Sequence, residues 1–231
     1  MATHLSIVVK KPEELFLDRL PITACNAFLY CANELKLLSE SNWYLAGGTA
    51  LTLQVGHRQS MDLDFFLPEI DFDRVKLERE LIATKKWTTN LIQKGTIYGT
   101  LLKAKVSFIA YPFFKPSNHR IRCGNINILT PNDIAAMKII AISQRGKKRD
   151  FVDLYWYTKN KESVFDVIQH AIHQYPGQEE NLNHILKSLL YFEDAEEDPM
   201  PNLFFETNWK EIKEYFLQEI PRITKEFLGL K

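Results

Sequence analysis

Tyr44-Leu45-Ala46-Gly47-Gly48-Thr49-Ala50-Leu51, followed by Gly56-His57-Arg58-Gln59-Ser60-Met61-Asp62-Leu63-Asp64-Phe65-Phe66, is the stretch on which the reading of this chain turns. Asp62 and Asp64 are two residues apart in a segment, 62–67, that reads as a strand stopped by Pro68. Strand side chains alternate, so both carboxylates face one way while Leu63 and Phe65 face a core. Two like charges side by side repel unless a cation sits between them. Mg2+ (or Mn2+) suits such a place, with hard oxygen ligands and coordination left open for phosphate oxygens. Upstream, Gly47-Gly48 lets the backbone approach a bulky anion, with Thr49 as the expected cap of a short helix over 50–55. The N-terminus of that helix adds unpaired N–H groups and a positive dipole end. Arg58 is placed to reach the phosphates or a pyrophosphate leaving group. A glycine pair alone is most often a turn, and Asp-x-Asp alone is common on surface strands. Together they describe a triphosphate site: Gly47, Gly48, Thr49 and Arg58 for nucleotide, Asp62 and Asp64 for metal. His57 has no second ligand in sequence and reads as a structural hydrogen bonder.

Outward from this stretch, residues 22–38 carry Ala27-Phe28, Cys31, Leu35 and Leu38 at helical spacing after Pro21. Residues 43–46 read as a short strand. Asp71 is the expected N-cap of a helix bearing Val75, Leu77, Leu81 and Ile82. Strands are expected over 87–93 and 96–110, with Lys94-Gly95 as the turn and Gly99 interrupting the longer run, and again within 123–129. From Thr130-Pro131 onward the pattern turns helical: 133–143, 148–158, 163–173, 181–192 and 209–227, the last with Pro221 as a kink or split. Residues 193–201, acidic and proline-bearing, read as a loop. An α+β half, 1–130, thus precedes a helical half, 131–231, without a Gly/Ser linker. The expectation is two closely packed lobes with the site in the cleft between them.

The bulk numbers constrain the class. The chain has 231 residues, 45% hydrophobic and 25% charged, as in a packed globular protein. Its 29 basic and 29 acidic residues cancel, so no global field draws it to nucleic acid or membrane. The run Arg145-Gly146-Lys147-Lys148-Arg149 is one candidate for a local basic patch. Cys25, Cys31 and Cys123 lack metal spacing and read as buried small hydrophobes in a reducing compartment. The apolar run 5–9 precedes two lysines, the reverse of a signal peptide, and no run of about 18 apolar residues exists. A cytoplasmic protein without a membrane partner is expected.

The two quoted blocks, with Lys138-Ile139-Ile140-Ala141 and Arg149-Asp150-Phe151-Val152-Asp153-Leu154 downstream, resemble the AbiEii/AbiGii-type nucleotidyltransferase toxins, a family of the DNA polymerase β-like nucleotidyltransferase superfamily. The resemblance spans roughly residues 44–157 and is expected to extend over the whole chain. It implies a polymerase β-like core with a mixed sheet followed by a helical C-terminal lobe that closes the active-site cleft. It also implies the toxin of a type IV toxin–antitoxin or phage-defence system, with a cognate antitoxin encoded nearby. By the same resemblance Asp62 and Asp64 bind metal, Gly48 and Thr49 bind phosphate, Lys138 stands at the nucleotide, and Asp150 and Asp153 lie in or beside the active site. Lys138 sits in an otherwise apolar helical run, which favours a cleft over solvent. Asp150 and Asp153 share a helix face, one to position Lys138 or an arginine and the other to act on the acceptor, although an acid in a first helical turn is also an ordinary cap. One departure stands out: where many of these enzymes carry a third carboxylate on a neighbouring strand, alternation along 104–109 places Ser107.

The chemistry expected is in-line displacement at the α-phosphorus of an NTP, with RNA (tRNA) or another macromolecule as acceptor. The basic run 145–149 could contact an RNA backbone, whereas Tyr155, Trp156 and Tyr157 read first as helical core. Two rivals are carried. A small-molecule-modifying nucleotidyltransferase would use an acidic pocket, for which 193–198 is the source. A catalytically weakened nucleotide- or partner-binding module is kept open by Ser107.

Overall fold

The first strand, β1 (Ser6–Val9), lies at the edge of an eight-stranded mixed sheet and is exposed throughout. Helices α1 (Ile22–Glu34) and α2 (Leu37–Glu40) follow, then β2 (Tyr44–Ala46), α3 (Gly47–Val55), β3 (Leu63–Leu67) and α4 (Arg74–Ala83). Strands β4 (Trp87–Gln93), β5 (Thr96–Leu101), β6 (Ala104–Ala110), β7 (His119–Cys123) and β8 (Ile126–Leu129) complete the sheet, in the order β1-β7-β8-β2-β3-β6-β5-β4. The computed structural model describes residues 5–227, and the chain divides into two units, Met1–Thr130 and Pro131–Lys231.

Alternation decides which face of the sheet is core. Leu63, Phe65, Val106, Phe108 and Ile97 are buried to 0–1% exposure on one face. There Phe108 packs on Phe65 (5.3 Å between ring centroids) and edge-on to Trp43 (5.2 Å). Burying side chains of this size supplies the main drive for folding. Gly99 does not interrupt its strand, contrary to expectation. A Cβ there would lie 2.2 Å from the Trp87 ring, so the glycine admits the indole onto the sheet. The interruption comes at Leu102-Lys103, whose φ angles of 51° and 70° form a two-residue hairpin loop between β5 and β6.

Other expectations shift by a few residues. The helix read over 22–38 is two, because Leu35 leaves helical geometry (φ −88°, ψ 77°). Asp73, not Asp71, caps α4, its side chain accepting from the Lys76 N–H at 2.9 Å. The stretch 123–129 is a hairpin end: β7 stops at Cys123 and β8 starts at Ile126, antiparallel to it. Strands β1 and β7 have no counterpart among the expected elements. The run 5–9, read above only against a signal peptide, pairs with β7 in parallel, Ser6 opposite His119.

The second unit is helical: α5 (Pro131–Arg145), α6 (Lys148–Asn160), α7 (Val164–Gln174), α8 (Leu182–Ser188), α9 (Glu193–Glu196) and α10 (Trp209–Phe227). Ser163 caps α7 by accepting from the Asp166 N–H at 3.1 Å. The expected acidic loop holds the single turn α9, and Pro221 lies inside α10 without splitting it. Phe151 centres this unit's core, against Phe192 (5.2 Å), Phe216 (5.5 Å) and Trp209 (5.8 Å). Tyr157 is buried, while Tyr155 stacks on Phe205 at 6.4 Å. Among the described residues no helix is long and apolar enough to cross a membrane.

Candidate functional site

One strand pairing and two hydrogen bonds tie the start of α3 to the acidic segment. Antiparallel pairing sets Ala46 opposite Asp64, so α3 begins beside the Asp64 carboxylate. A Cβ on Gly47 would lie 3.4 Å from Asp64 Oδ2. Thr49 is not the cap of α3; Ala46 occupies that position and Thr49 lies within the helix. Its hydroxyl instead donates to the Asp62 carbonyl at 2.5 Å and shares a 2.8 Å hydrogen bond with Ser60 Oγ. Ser60 was not singled out in sequence, although it stands two residues before Asp62 as Asp62 does before Asp64.

Arg58 is 4% exposed and lies across Gly48. A Cβ on Gly48 would fall 2.1 Å from its Nη2, and its Nη1 donates to the Gln59 carbonyl at 2.9 Å. Glycine is therefore required at 48 to leave room for the guanidinium. Gly48→Ala is expected to displace Arg58. On the sequence reading of Arg58 as a phosphate ligand, the NTP Kd should then weaken about tenfold, as for the loss of one hydrogen bond to a charged group. Isothermal titration with a non-hydrolysable NTP checks this, and unchanged affinity would remove Arg58 from the nucleotide site.

Ser107 stands where the strand register predicts, opposite Asp64 on parallel β6. Its hydroxyl donates to Asp64 Oδ1 at 2.8 Å, and Oδ2 lies on the Gly47 side. Asp62 and Asp64 are both half-buried. Among the described residues no third His, Cys, Asp or Glu joins them as a cluster of metal-ligand type. Two carboxylates beside a side-chain-free stretch of backbone match a hard divalent cation that keeps most of its coordination for water and phosphate.

The remaining sequence candidates cluster in the helical unit. Lys138 Nζ lies 2.6 Å from Asp150 Oδ1 and 2.7 Å from Asp153 Oδ2, with both acids fully buried and Lys138 5% exposed. Arg145 Nε adds a 3.3 Å contact to Asp150 Oδ2. Burial pushes the Asp150 carboxyl up, but Lys138 and Arg145 outweigh it and hold the group below its ordinary range. Burial alone pushes the Cys31 thiol up, as expected of a packed, unreactive cysteine.

The basic run 145–149 departs from expectation, because much of it is spent inside its own unit. Lys148 is buried and donates to the carbonyls of Glu196 (3.0 Å) and Asp198 (2.5 Å), 5.1 Å from the Trp209 ring centre. Lys147 pairs with Asp198 at 3.3 Å. The acidic segment does line a depression, though two cations offset part of its charge. The open depression there, about 540 Å³, is lined by Arg145 and Lys147 as well as Glu193, Asp194, Glu196 and Glu197.

A family model described as nucleotidyl transferase AbiEii toxin, type IV TA system, matches residues 29–98 and 115–228. The chain belongs to the AbiEii family. AbiEii membership makes it a nucleotidyltransferase with an NTP substrate, from a family whose toxins are paired with antitoxins. An uncharacterized protein of Aquifex aeolicus (strain VF5) is 36% identical over 193 residues, covering 81% of this chain and 89% of that protein. The crystal structure of JHP933 from Helicobacter pylori has a TM-score of 0.53 at 16% identity, covering 91% of this chain and 95% of that one. At that identity the likeness speaks for the fold alone, and it agrees with the mixed sheet and helices described above.

Proposed function

We propose that the patch on α3 and β3 binds the triphosphate of an NTP and transfers its nucleoside monophosphate to a hydroxyl of RNA, with tRNA as the leading substrate class. The acceptor oxygen attacks the α-phosphorus, the bond from that phosphorus to the pyrophosphate oxygen breaks, and the acceptor's proton leaves to solvent. Pyrophosphate and an acceptor longer by one nucleotide are the products. One observation carries the reading: Asp64 is bound on one oxygen by Ser107 while its other oxygen faces the bare backbone of Gly47.

Each residue has a part. The N–H groups at the start of α3 and the Arg58 guanidinium hold phosphate oxygens and the charge that grows on pyrophosphate. Thr49 and Ser60 brace the turn before Asp62. Asp62 and Asp64 would hold Mg2+ or Mn2+, which when bound neutralises phosphate charge and acidifies the attacking hydroxyl. Ser107 cannot act as a base; it fixes the Asp64 carboxylate. A cognate antitoxin is the protein partner in this reading, and NTP and RNA put the place of action in the cytoplasm.

The test is incubation with Mg2+, each α-labelled NTP in turn and total RNA. Label on RNA supports the proposal. Label on a small molecule or protein instead would replace the acceptor class, and measurable NTP binding with no label anywhere would favour a binding module. Ser107→Ala should lower kcat/KM about tenfold, the size expected for a lost hydrogen bond to a charged group. It should also raise the Mg2+ concentration needed for half-maximal rate, whereas Ser107→Thr keeps both near wild type. An alanine variant with wild-type Mg2+ dependence would remove Ser107 from this role.

A further inference from the structure

The sheet face that carries Asp64 continues past it. Cross-strand register runs from Asp64 to Ser107, to Tyr98, to Leu91. Directly paired residues share a face, so these four side chains form a line across β3, β6, β5 and β4. Tyr98 is two strand spacings from Asp64, about 10 Å. A second row beside it pairs Lys105 with Thr100 and Thr88.

This part of the face is open where the opposite one is packed. Tyr98 is 36% exposed and Leu91 50%, against 0% for Ile97, the next residue along β5. Lys105 and Thr88 are exposed as well. Tyr98 has no ring or hydrogen-bond partner among the described residues, and Lys105 has no ion-pair partner among them. Apart from Asp64, and Asp62 just before β3, at their margin, no acid stands in these rows.

The side of Asp64 on which this face lies matters. Gly47 and Gly48 belong to the β2 side of β3, and Ser107 and Tyr98 to the β6 side. In-line displacement needs the attacking and leaving oxygens on opposite sides of the phosphorus. With pyrophosphate held by α3 and Arg58, the attacking hydroxyl must come from the β6 side.

We propose that the open face of β4, β5 and β6 is the acceptor shelf, where a single-stranded RNA end lies with a base stacked on Tyr98 and a backbone phosphate at Lys105. This rests on the nucleotidyl-transfer reading above and adds where the acceptor sits. A flat aromatic plane beside an unpaired cation is the equipment by which single strands are held without sequence readout.

The experiment has two independent readouts on the full chain: anisotropy of a short fluorescein-labelled single-stranded oligoribonucleotide of mixed sequence, and titration with a non-hydrolysable NTP. Tyr98→Ala should weaken oligonucleotide binding by roughly tenfold or more, the size of one lost base stack, while Tyr98→Phe keeps it. Lys105→Gln should weaken it and flatten its salt dependence by about one phosphate contact. All three variants should bind NTP as wild type does. Wild-type oligonucleotide affinity in Tyr98→Ala would overturn the shelf while leaving nucleotidyl transfer intact. So would a wild-type chain that binds no oligonucleotide yet labels protein, which would make the acceptor a polypeptide. Failure of the underlying reading would register separately, as absent NTP binding or absence of label on any acceptor.

Discussion

Asp64→Asn should reduce label transfer from an α-labelled NTP by at least about 10³-fold, the scale of removing charge stabilisation at the reacting phosphorus. The substitution is chosen because it changes charge and little else. Asn keeps a carbonyl oxygen able to accept from Ser107 Oγ, now 2.8 Å from Asp64 Oδ1. Leu63 and Phe65, whose side chains are fully buried on the other face, keep the strand in place. Melting temperature should therefore move little, and NTP binding measured without divalent metal should persist, since Arg58 and the start of α3 are untouched. Turnover within about tenfold of wild type would show that Asp64 is not the centre of the chemistry, for a residue that holds the metal cannot lose its charge so cheaply.

How far the sequence carried the site depends on the kind of signal. Alternation was enough to set Ser107 beside Asp64, because strand geometry has a fixed period, whereas β3 begins at Leu63 and Asp62 lies just before the strand rather than in it. The glycine pair announced a close approach, but the group approaching Gly48 is the Arg58 side chain, ten residues on, which no local rule names. Thr49 was read as a helix cap because its neighbours suit one. A tertiary bond to the Asp62 carbonyl took its hydroxyl instead. Strands β1 and β7 were missed for a related reason: an edge pair with an exposed strand shows no hydrophobic alternation, and only its partner fixes it. The basic run 145–149 looked like a surface patch because sequence shows charge and not its counter-charge. Asp198, some fifty residues later, supplies that for Lys147, and the Glu196 and Asp198 carbonyls accept from Lys148.

Lys138→Met should destabilise the protein by about 3–5 kcal/mol, the usual cost of removing one partner from a buried ion pair, and lower the melting temperature by roughly 10 °C or more. The ammonium stands between Asp150 and Asp153, both fully buried, and the other cation at Asp150, Arg145, is half exposed. Without Lys138, burial is left as the dominant influence on the Asp150 carboxyl, with only Arg145 opposing it. The sign of the pH dependence then reverses. In the wild type Asp150 is held below its ordinary value. Its stabilising contribution is therefore complete above the unfolded carboxyl pKa of about 4 and is lost as pH falls through the lower folded value. In the variant the folded pKa rises above the unfolded one. The folded state then binds more protons between the two, and stability falls as pH rises from about 4 toward 7. Thermal melts at intervals across that range should show wild type level and the variant steadily weaker toward neutrality. The family resemblance gives Lys138 a place at the nucleotide, and the same variant separates that role from the structural one. A chain that melts as wild type does but no longer transfers label would assign the ammonium to the reaction. A chain that is weakened as described, yet active at low temperature, would make the cluster the electrostatic pin between α5 and α6.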